Sequence, residues 1–337
     1  MRSYSEEKYP LKNALSVNRL AWRLLEELVK SPDFYGVKVE RTSNGTTIVD
    51  AGVQARGGFE AGRLITEICM GGLGKAQVCS KKYGDLELQS IFIYTDHPAI
   101  ATLGSQYAGW QISEEGYFAI GSGPARALAL KPKEVYEEIQ YKDECDTAVV
   151  ILETQKLPPP KFIDRLARDC RVSPENVAVI LTPTTSPAGA TQVSGRIVET
   201  GIHKLRRLGL DPNTILYAWG CAPIPPLHPK FADAMARTND AILYGGTSCY
   251  VLECDDEEKL SEIIEKAPSR ASKAYGKLFK EIFKEANHDF YKIDPDLFAP
   301  AVIIINNTRT GRTFQNGKIN AAALAESFDL EKNGQDK

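Results

Sequence analysis

No apolar stretch in this sequence approaches the ~20 residues that a membrane-spanning helix needs. The longest, such as Ala301–Ile305, have the length of buried strands. Met1–Lys12 is polar and mixed in charge and has no apolar centre, so a secretory signal is not expected there. Neither charge sign dominates. Lys and Arg number 41 against 44 Asp and Glu, a net charge of −3, which gives no electrostatic reason to expect nucleic acid or an anionic membrane as partner. The seven cysteines (Cys69, Cys79, Cys145, Cys170, Cys221, Cys249 and Cys254) are odd in number and include no C-x-x-C pair. Neither a disulfide framework nor a zinc site is expected, and reduced thiols point to the cytoplasm. Only four histidines occur (His97, His203, His228, His288), with no H-x-x-x-H or H-E-x-x-H spacing. A chemistry that uses no metal is therefore expected.

Of the 337 residues, 43% are hydrophobic and 25% charged, enough to bury a sizeable core. That length suits two domains sharing a cleft. Ser16 caps an apolar stripe of helical spacing from Val17 to Leu28, and Pro32 stops it. Val37–Arg41 and Thr46–Asp50 flank Asn44-Gly45 as a hairpin. Phe59–Met70 reads as a helix, Leu86–Tyr94 as a strand and Pro98–Tyr107 as a short helix. Strands at Asp146–Leu152, Val177–Leu181 and Thr214–Trp219 then alternate with helices at Phe162–Cys170 and Ala188–Leu208. Helices at Asp255–Lys266 and Ala274–Ala286 and a strand pair, Ala301–Asn307 with Arg312–Asn316, complete the chain. Alternating strands and helices behind a hairpin-rich first third give a mixed α/β (α+β) class. The expected division is an N-terminal α/β domain over 1–145 and a C-terminal one over 146–337, the C-terminal segment being free to return to the first domain. Glu331–Lys337 is polar and expected to fray.

Four stretches are too specific to be ordinary loops. The first runs from Thr95-Asp96-His97-Pro98 through Gly104-Ser105-Gln106 to Gly109-Trp110. It offers Asp96, His97, Ser105 and Gln106 to a ligand, or serves as a helix start with Asp96 as cap and Pro98 in the first turn. The second is Gly121-Ser122-Gly123-Pro124-Ala125-Arg126. Its glycines let a backbone approach a ligand, and Ser122 and Arg126 suit an anion, but a tight structural turn explains it equally well. Arg126 stands where the dinucleotide fingerprint requires Gly or Ala. The third is Thr182-Pro183-Thr184-Thr185-Ser186-Pro187, where Ser186 caps a helix and Thr184 and Thr185 can face an anion. The fourth is the helix that follows, with Gln192, Arg196, Glu199 and His203 at spacings of four, three and four on one face. A solvated ion pair accounts for Arg196 and Glu199 in an arbitrary helix. Here Gly195 and Gly201 sit in the helix at a cost of roughly 1 kcal/mol each, which close packing or a ligand must offset.

Together these stretches resemble the methenyltetrahydromethanopterin cyclohydrolases. The match rests on Ser16-Val-Asn18, Cys69-Met-Gly-Gly-Leu73, Tyr94-Thr-Asp-His-Pro-Ala-Ile100, Gly104-Ser-Gln106, Ala108-Gly-Trp-Gln111 and the run from Gly121 to Pro132. It continues in Gly195-Arg-Ile-Val-Glu-Thr200, Tyr275-Gly-Lys277, Asp289-Phe-Tyr-Lys-Ile-Asp-Pro295 and Leu297-Phe-Ala-Pro300, covering about residues 16–328. The resemblance implies two α/β domains facing each other across a deep pocket, often in a homotrimer. It implies hydrolysis of 5,10-methenyl-tetrahydromethanopterin to the 5-formyl form without metal or redox cofactor. The family's catalytic Glu, three residues after an Arg, falls on Glu199, with Arg196 as that Arg.

The chemistry suits those residues. The substrate is a cyclic amidinium whose bridging carbon is already electrophilic, so one carboxylate can act first as base on water and then as acid towards N10. Arg196, which keeps its own proton, tunes Glu199. The Thr182–Ser186 loop, Gly121–Arg126 and lysines such as Lys230 are candidate sites for the anionic tail of the pterin. Trp110, Tyr94 and Phe118 are candidates for stacking on its ring. Two other readings stay open: an NAD(P)-dependent oxidoreductase acting on a one-carbon pterin, suggested by Gly121-Ser-Gly123, and a non-catalytic pterin-binding protein. The sequence is equally compatible with a pathway towards methane and one of formaldehyde oxidation, and with several pterin side chains.

Overall fold

The computed structural model describes residues 15–330. The expectations for Met1–Lys12 and Glu331–Lys337 lie outside the described residues. Among the described residues, twelve strands form two six-stranded sheets. In chain order they are β1 (Lys38–Arg41), β2 (Thr47–Asp50), β3 (Gly74–Tyr83), β4 (Leu86–Thr95), β5 (Trp110–Glu114), β6 (Tyr117–Ser122), β7 (Ala148–Leu152), β8 (Val177–Leu181), β9 (Ile215–Pro223), β10 (Thr247–Leu252), β11 (Val302–Asn307) and β12 (Thr313–Gly317). The first sheet has the order β1-β2-β8-β7-β6-β5 and the second β12-β11-β10-β9-β4-β3. Each sheet is mixed: β2, β8 and β7 run parallel in the first, β10 and β11 in the second. The mixed α/β class follows.

The two sheets bury their strands differently, and the sequences say why. All five residues of β7 (Ala148-Val-Val-Ile-Leu152) and all five of β8 (Val177-Ala-Val-Ile-Leu181) are buried. An unbroken apolar run of that kind belongs to a strand covered on both faces. Val149 and Ile151 pack with Leu25 and Leu28 of the helix Val17–Lys30, while Val150 and Leu152 pack with Phe162 and Leu166 of the helix Pro160–Cys170. The second sheet alternates. Ile91, Ile93, Ile303 and Ile305 face a core shared with Ile197, Val198 and Leu205. On its other face Tyr94 and Tyr217 are half exposed, and the Phe92 ring lies 5.9 Å between centroids from Trp219, tilted by 33°.

Both sheets draw strands from either side of residue 145. The first takes β1, β2, β5 and β6 from before it and β7 and β8 from after it. The second takes β3 and β4 from before it. A division of the chain at 145 therefore does not separate the sheets, because long crossovers carry the chain back and forth. Pro158–Pro160 lies in the passage from β7 into the next helix, Pro160–Cys170.

Most single elements fall where their patterns place them. Ser16 accepts a hydrogen bond from the Arg19 amide at 3.1 Å, and Ser186 one from Gly189 at 3.0 Å. Three elements differ. Pro98–Tyr107 is a short α-helix, Pro98–Ala101, running into a π-helical turn, Thr102–Gln106. Of Ala274–Ala286 only Phe279–Glu285 is helical. The long helix expected over Ala188–Leu208 is two, Pro187–Ser194 and Ile197–Arg207, broken at Gly195-Arg196.

That break has a packing cause. The first helix lies on Phe59–Cys69 at a distance only glycine permits. A Cβ on Gly62 would meet the Ala188 carbonyl at 2.8 Å, and one on Gly195 would meet the Thr66 side chain at 2.5 Å. The second helix lies on β9 and β10 instead. There a Cβ on Gly201 would stand 1.9 Å from the Tyr250 hydroxyl, which donates to the Val198 carbonyl at 2.9 Å. Close packing thus accounts for Gly201 inside the second helix, while Gly195 lies at the break and carries no helix-interior cost. Gly201→Ala is expected to destabilise the fold by about 1–3 kcal/mol through overpacking, read as a lower thermal midpoint. An unchanged midpoint would show that the helix does not depend on this contact.

Candidate active site

Three parallel strands, β2, β8 and β7, end side by side, with Asp50, Leu181 and Leu152 in register. The carboxyl ends of parallel strands leave a crevice where loops can present side chains. Thr182 follows β8 and its amide donates to the Leu152 carbonyl at 3.0 Å. Glu153 follows β7. The chain then enters the helix Pro187–Ser194 and crosses at Gly195-Arg196 to the helix on the second sheet. Arg196 and Glu199 sit at this crossing, so the two sheet layers meet around them.

Arg196 caps the N-terminus of the second helix with its backbone, and its guanidinium lies back over Glu199. Nη1 is 3.6 Å from Glu199 Oε2, an ion pair longer than a charge-assisted hydrogen bond. Nη1 donates to the Gln106 carbonyl at 2.6 Å, and Nη2 approaches the Cys69 sulfur at 3.9 Å. The π-helical turn explains the free carbonyl. Its wider winding and its termination at Gln106 release carbonyls from intrahelical bonding, and arginines take them up. Arg126, fully buried, donates Nη1 to Leu103 and Ser105 at 3.1 Å each and Nε to Lys131 at 2.8 Å. Gln106 Nε2 donates to the Gly195 carbonyl at 3.1 Å, which ties the π-turn to the helix break.

The side chains of Arg196 and Glu199 are 13% and 9% exposed, so the pair is desolvated yet reachable. Burial pushes the Glu199 carboxyl above its ordinary value, and the charges of Arg196 and then Arg126 pull it back. Glu153 is raised in the same way by burial, with Arg196 and then Thr184 opposing. Thr184 lies close enough to act on Glu153 but makes no hydrogen bond of normal geometry.

Among the described residues, seven buried side-chain polar atoms have no hydrogen-bond partner. Five belong to this neighbourhood: Gln106 Oε1, Arg126 Nη2, Glu153 Oε1, Thr184 Oγ1 and Gln192 Oε1. Buried polar groups are nearly always paired, so such a concentration marks a place built to meet a polar ligand. Chemically, the arrangement offers a carboxylate of raised pKa to move a proton, a fixed guanidinium beside it and free acceptors around them.

The expected site residues divide accordingly. Gln106, Arg126, Thr184, Arg196 and Glu199 come together here. Gln192 reaches the same loop, with Nε2 3.3 Å from the Thr182 hydroxyl. Ser122 lies 3.6 Å from Cys69 Sγ, beneath Arg196. Ser105 donates to the Cys69 carbonyl at 2.7 Å. Thr185 is half-buried beside Thr184. Asp96 and His97 are exposed and line a different cavity of about 410 Å³, with Leu15, Ile100, Ile215 and Tyr217. Thr95, not Asp96, accepts from the His97 amide at 3.0 Å. Lys230 is exposed at the start of the helix Phe231–Asp240, its amide on His228. His203 does not share the Arg196 and Glu199 cluster. Its ring stacks on Tyr107 at 5.1 Å, and burial pushes its pKa down to about 4. Trp110 is in the core, while Tyr94 and Phe118 are exposed.

Glu153 was not legible in the sequence. The signal was its position directly after the all-apolar β7, at the carboxyl end of a parallel strand. Gly121-Ser-Gly123 shows no dinucleotide geometry: β6 is antiparallel to both neighbours, and the Gly123 amide is bonded to Ser105 at 2.9 Å. Among the described residues no group of three or more His, Cys, Asp or Glu side chains is placed to hold a metal, and no helix is long and apolar enough to cross a membrane.

A buried carboxylate lies beside a guanidinium where two mixed sheets of an α/β protein meet, an arrangement with the means to move a proton. Comparison with known proteins names the branch. The family model described as cyclohydrolase (MCH) matches residues 16–328. The chain is 47% identical over 321 residues to the methenyltetrahydromethanopterin cyclohydrolase of Methanothermobacter marburgensis, covering 94% of this chain and 100% of that protein. It is 45% identical over 319 residues to that of Methanocella arvoryzae, covering 94% and 99%. For Methanocaldococcus jannaschii the identity is 44% over 319 residues, covering 93% and 98%. This chain belongs to the methenyltetrahydromethanopterin cyclohydrolase family.

Proposed function

We propose that this chain hydrolyses 5,10-methenyl-tetrahydromethanopterin to 5-formyl-tetrahydromethanopterin, with Glu199 as the proton-transfer group. The observation that carries the reading is the desolvated Glu199–Arg196 pair, 3.6 Å apart, amid unpartnered polar groups. Water adds to the bridging carbon of the amidinium while Glu199 takes its proton. The adduct is neutral, because the substrate's cation has been consumed. The C–N10 bond then breaks, Glu199 returns its proton to N10, and the hydroxyl proton leaves to solvent as the formyl C=O forms. One proton is released per turnover.

Arg196 sets the field in which Glu199 works. It lowers a pKa that burial raises, and it stays charged throughout. No metal or redox cofactor takes part, since the substrate's own charge already makes the carbon electrophilic. The pterin lies where the two sheet layers meet, with Gln106, Ser122, Thr184 and Gln192 around its head. We further propose a cytoplasmic homotrimer. The open face of the second sheet, with Phe92, Tyr94, Tyr217 and Trp219, is its available apolar surface.

The test is spectrophotometric. Purified protein treated exhaustively with chelator, without NAD(P), should abolish the methenyl absorbance of methenyl-tetrahydromethanopterin and act far more slowly on methenyl-tetrahydrofolate. No decay with the methanopterin substrate would sink the reading. Decay lost on chelation alone would sink the metal-free step.

A further inference from the structure

Glu153 is not used by that mechanism. It stands at the carboxyl end of β7, across from Thr182 and next to Thr184, and carries a buried carboxylate oxygen, Oε1, with no hydrogen-bond partner. A buried carboxylate oxygen without a donor is costly, and Arg196 faces Glu153 only through space, being engaged with Glu199 and the Gln106 carbonyl. Apart from the neighbouring Thr184 hydroxyl, a donor to Oε1 would have to come from outside the chain. Thr184 Oγ1 beside it is likewise unpartnered, and so is Gln106 Oε1, whose amide is oriented by its bond to Gly195.

Three buried oxygens, on Glu153, Thr184 and Gln106, therefore lack a hydrogen bond of normal geometry within the chain. The pterin of the proposed substrate carries hydrogen-bond donors at one edge, where the 2-amino group and N3–H point the same way. Two parallel N–H groups match a carboxylate bidentately, as a guanidinium does. The opposite end of the substrate, the amidinium, carries no N–H. It belongs at Glu199, where its cation is matched by charge rather than by hydrogen bonds.

We propose that Glu153 is a specificity-determining residue that accepts the 2-amino and N3–H edge of the pterin ring, with Thr184 flanking it. The inference rests on the functional reading above and deepens it. It assigns the two carboxylates different tasks. Glu153 holds the ring at the strand ends, and Glu199 moves the proton at the helix crossing. It also fixes the orientation of the substrate, donor edge towards the first sheet and one-carbon unit towards the second.

Glu153→Gln keeps the shape but turns an amide N–H₂ towards the donor edge. Its KM for methenyl-tetrahydromethanopterin should rise about tenfold or more while kcat stays within about threefold. Binding of tetrahydromethanopterin, followed by tryptophan fluorescence, should weaken by the same factor. Thr184→Val, a smaller change, should weaken both in the same direction. Unchanged KM and binding in Glu153→Gln would overturn the inference and leave the function standing. A fall in kcat at constant KM would also overturn it, by making Glu153 part of the proton transfer. Wild-type protein that neither binds nor hydrolyses the pterin would overturn the functional reading itself. If Glu153→Gln does not fold, an unaltered KM in Thr184→Val decides against the proposal.

Discussion

Glu199→Gln should lower kcat by about 10² or more while leaving substrate affinity near the wild-type value. The amide has the same shape and can keep its place beside Arg196, but it neither accepts a proton from water nor returns one to N10. The size of the effect follows from burial. Glu199 is desolvated and its side chain is only 9% exposed, so bulk solvent is a poor substitute for it. Glu153, the other carboxylate nearby, with Oε1 buried, follows the β7 strand end and not the helix crossing. The loss should appear in kcat and kcat/KM alike, the pattern of an interaction made in the transition state. Turnover near the wild-type rate in Glu199→Gln would remove this residue from the chemistry.

Arg196→Gln should have the second largest effect, and its mark is a displaced pH profile. Burial raises the Glu199 pKa, and the Arg196 charge is the largest influence lowering it. Without that charge the carboxyl binds its proton more tightly. The acid limb of kcat/KM, which reports the free enzyme, moves to higher pH. At a fixed neutral pH less of the enzyme carries the base form, and the anchor to the Gln106 carbonyl is lost as well. Together these should reduce kcat/KM about 10–10²-fold. Arg196→Lys retains a charge without the planar fork, so its limb should move less while its rate still falls. An acid limb in the same place in Arg196→Gln would show that Arg196 binds or orients but does not tune.

The features that reach this site were legible to different depths. Helices and strands were clear wherever period and punctuation agreed, as in Val177–Leu181, or in Ser186-Pro187 at a helix start. The segment carrying Arg196 and Glu199 was legible as helix but not as two helices. A helical pattern continues across Gly195-Arg196, and the break comes from contacts with Thr66 and with the second sheet that lie far away in sequence. The π-helical turn at Thr102–Gln106 was hidden for a similar reason. Its purpose is to give carbonyls to Arg126 and Arg196, partners 21 and 90 residues distant. A pairing of Arg196 and Glu199 follows from an i,i+3 spacing, which sequence shows directly. Its burial does not, and burial separates a proton-transfer group from a surface ion pair. Strands β3, β5 and β10 left weak traces. Gly74–Tyr83 is rich in Lys, Ser and Gln because it is an edge strand, where charge blocks unwanted pairing. The interleaving of the two sheets is a matter of long-range strand pairing, which local sequence patterns do not show.

The most direct test of the central claim, that one buried carboxylate on the helix crossing moves the proton, is the pH dependence of kcat/KM for methenyl-tetrahydromethanopterin hydrolysis by the unmodified protein, with Glu199→Gln measured beside it. The account predicts an acid limb whose midpoint lies above the ordinary glutamate value, in line with the direction in which burial shifts Glu199, and its disappearance in the variant together with most of the activity. The same limb persisting in Glu199→Gln, at a comparable rate, would contradict it.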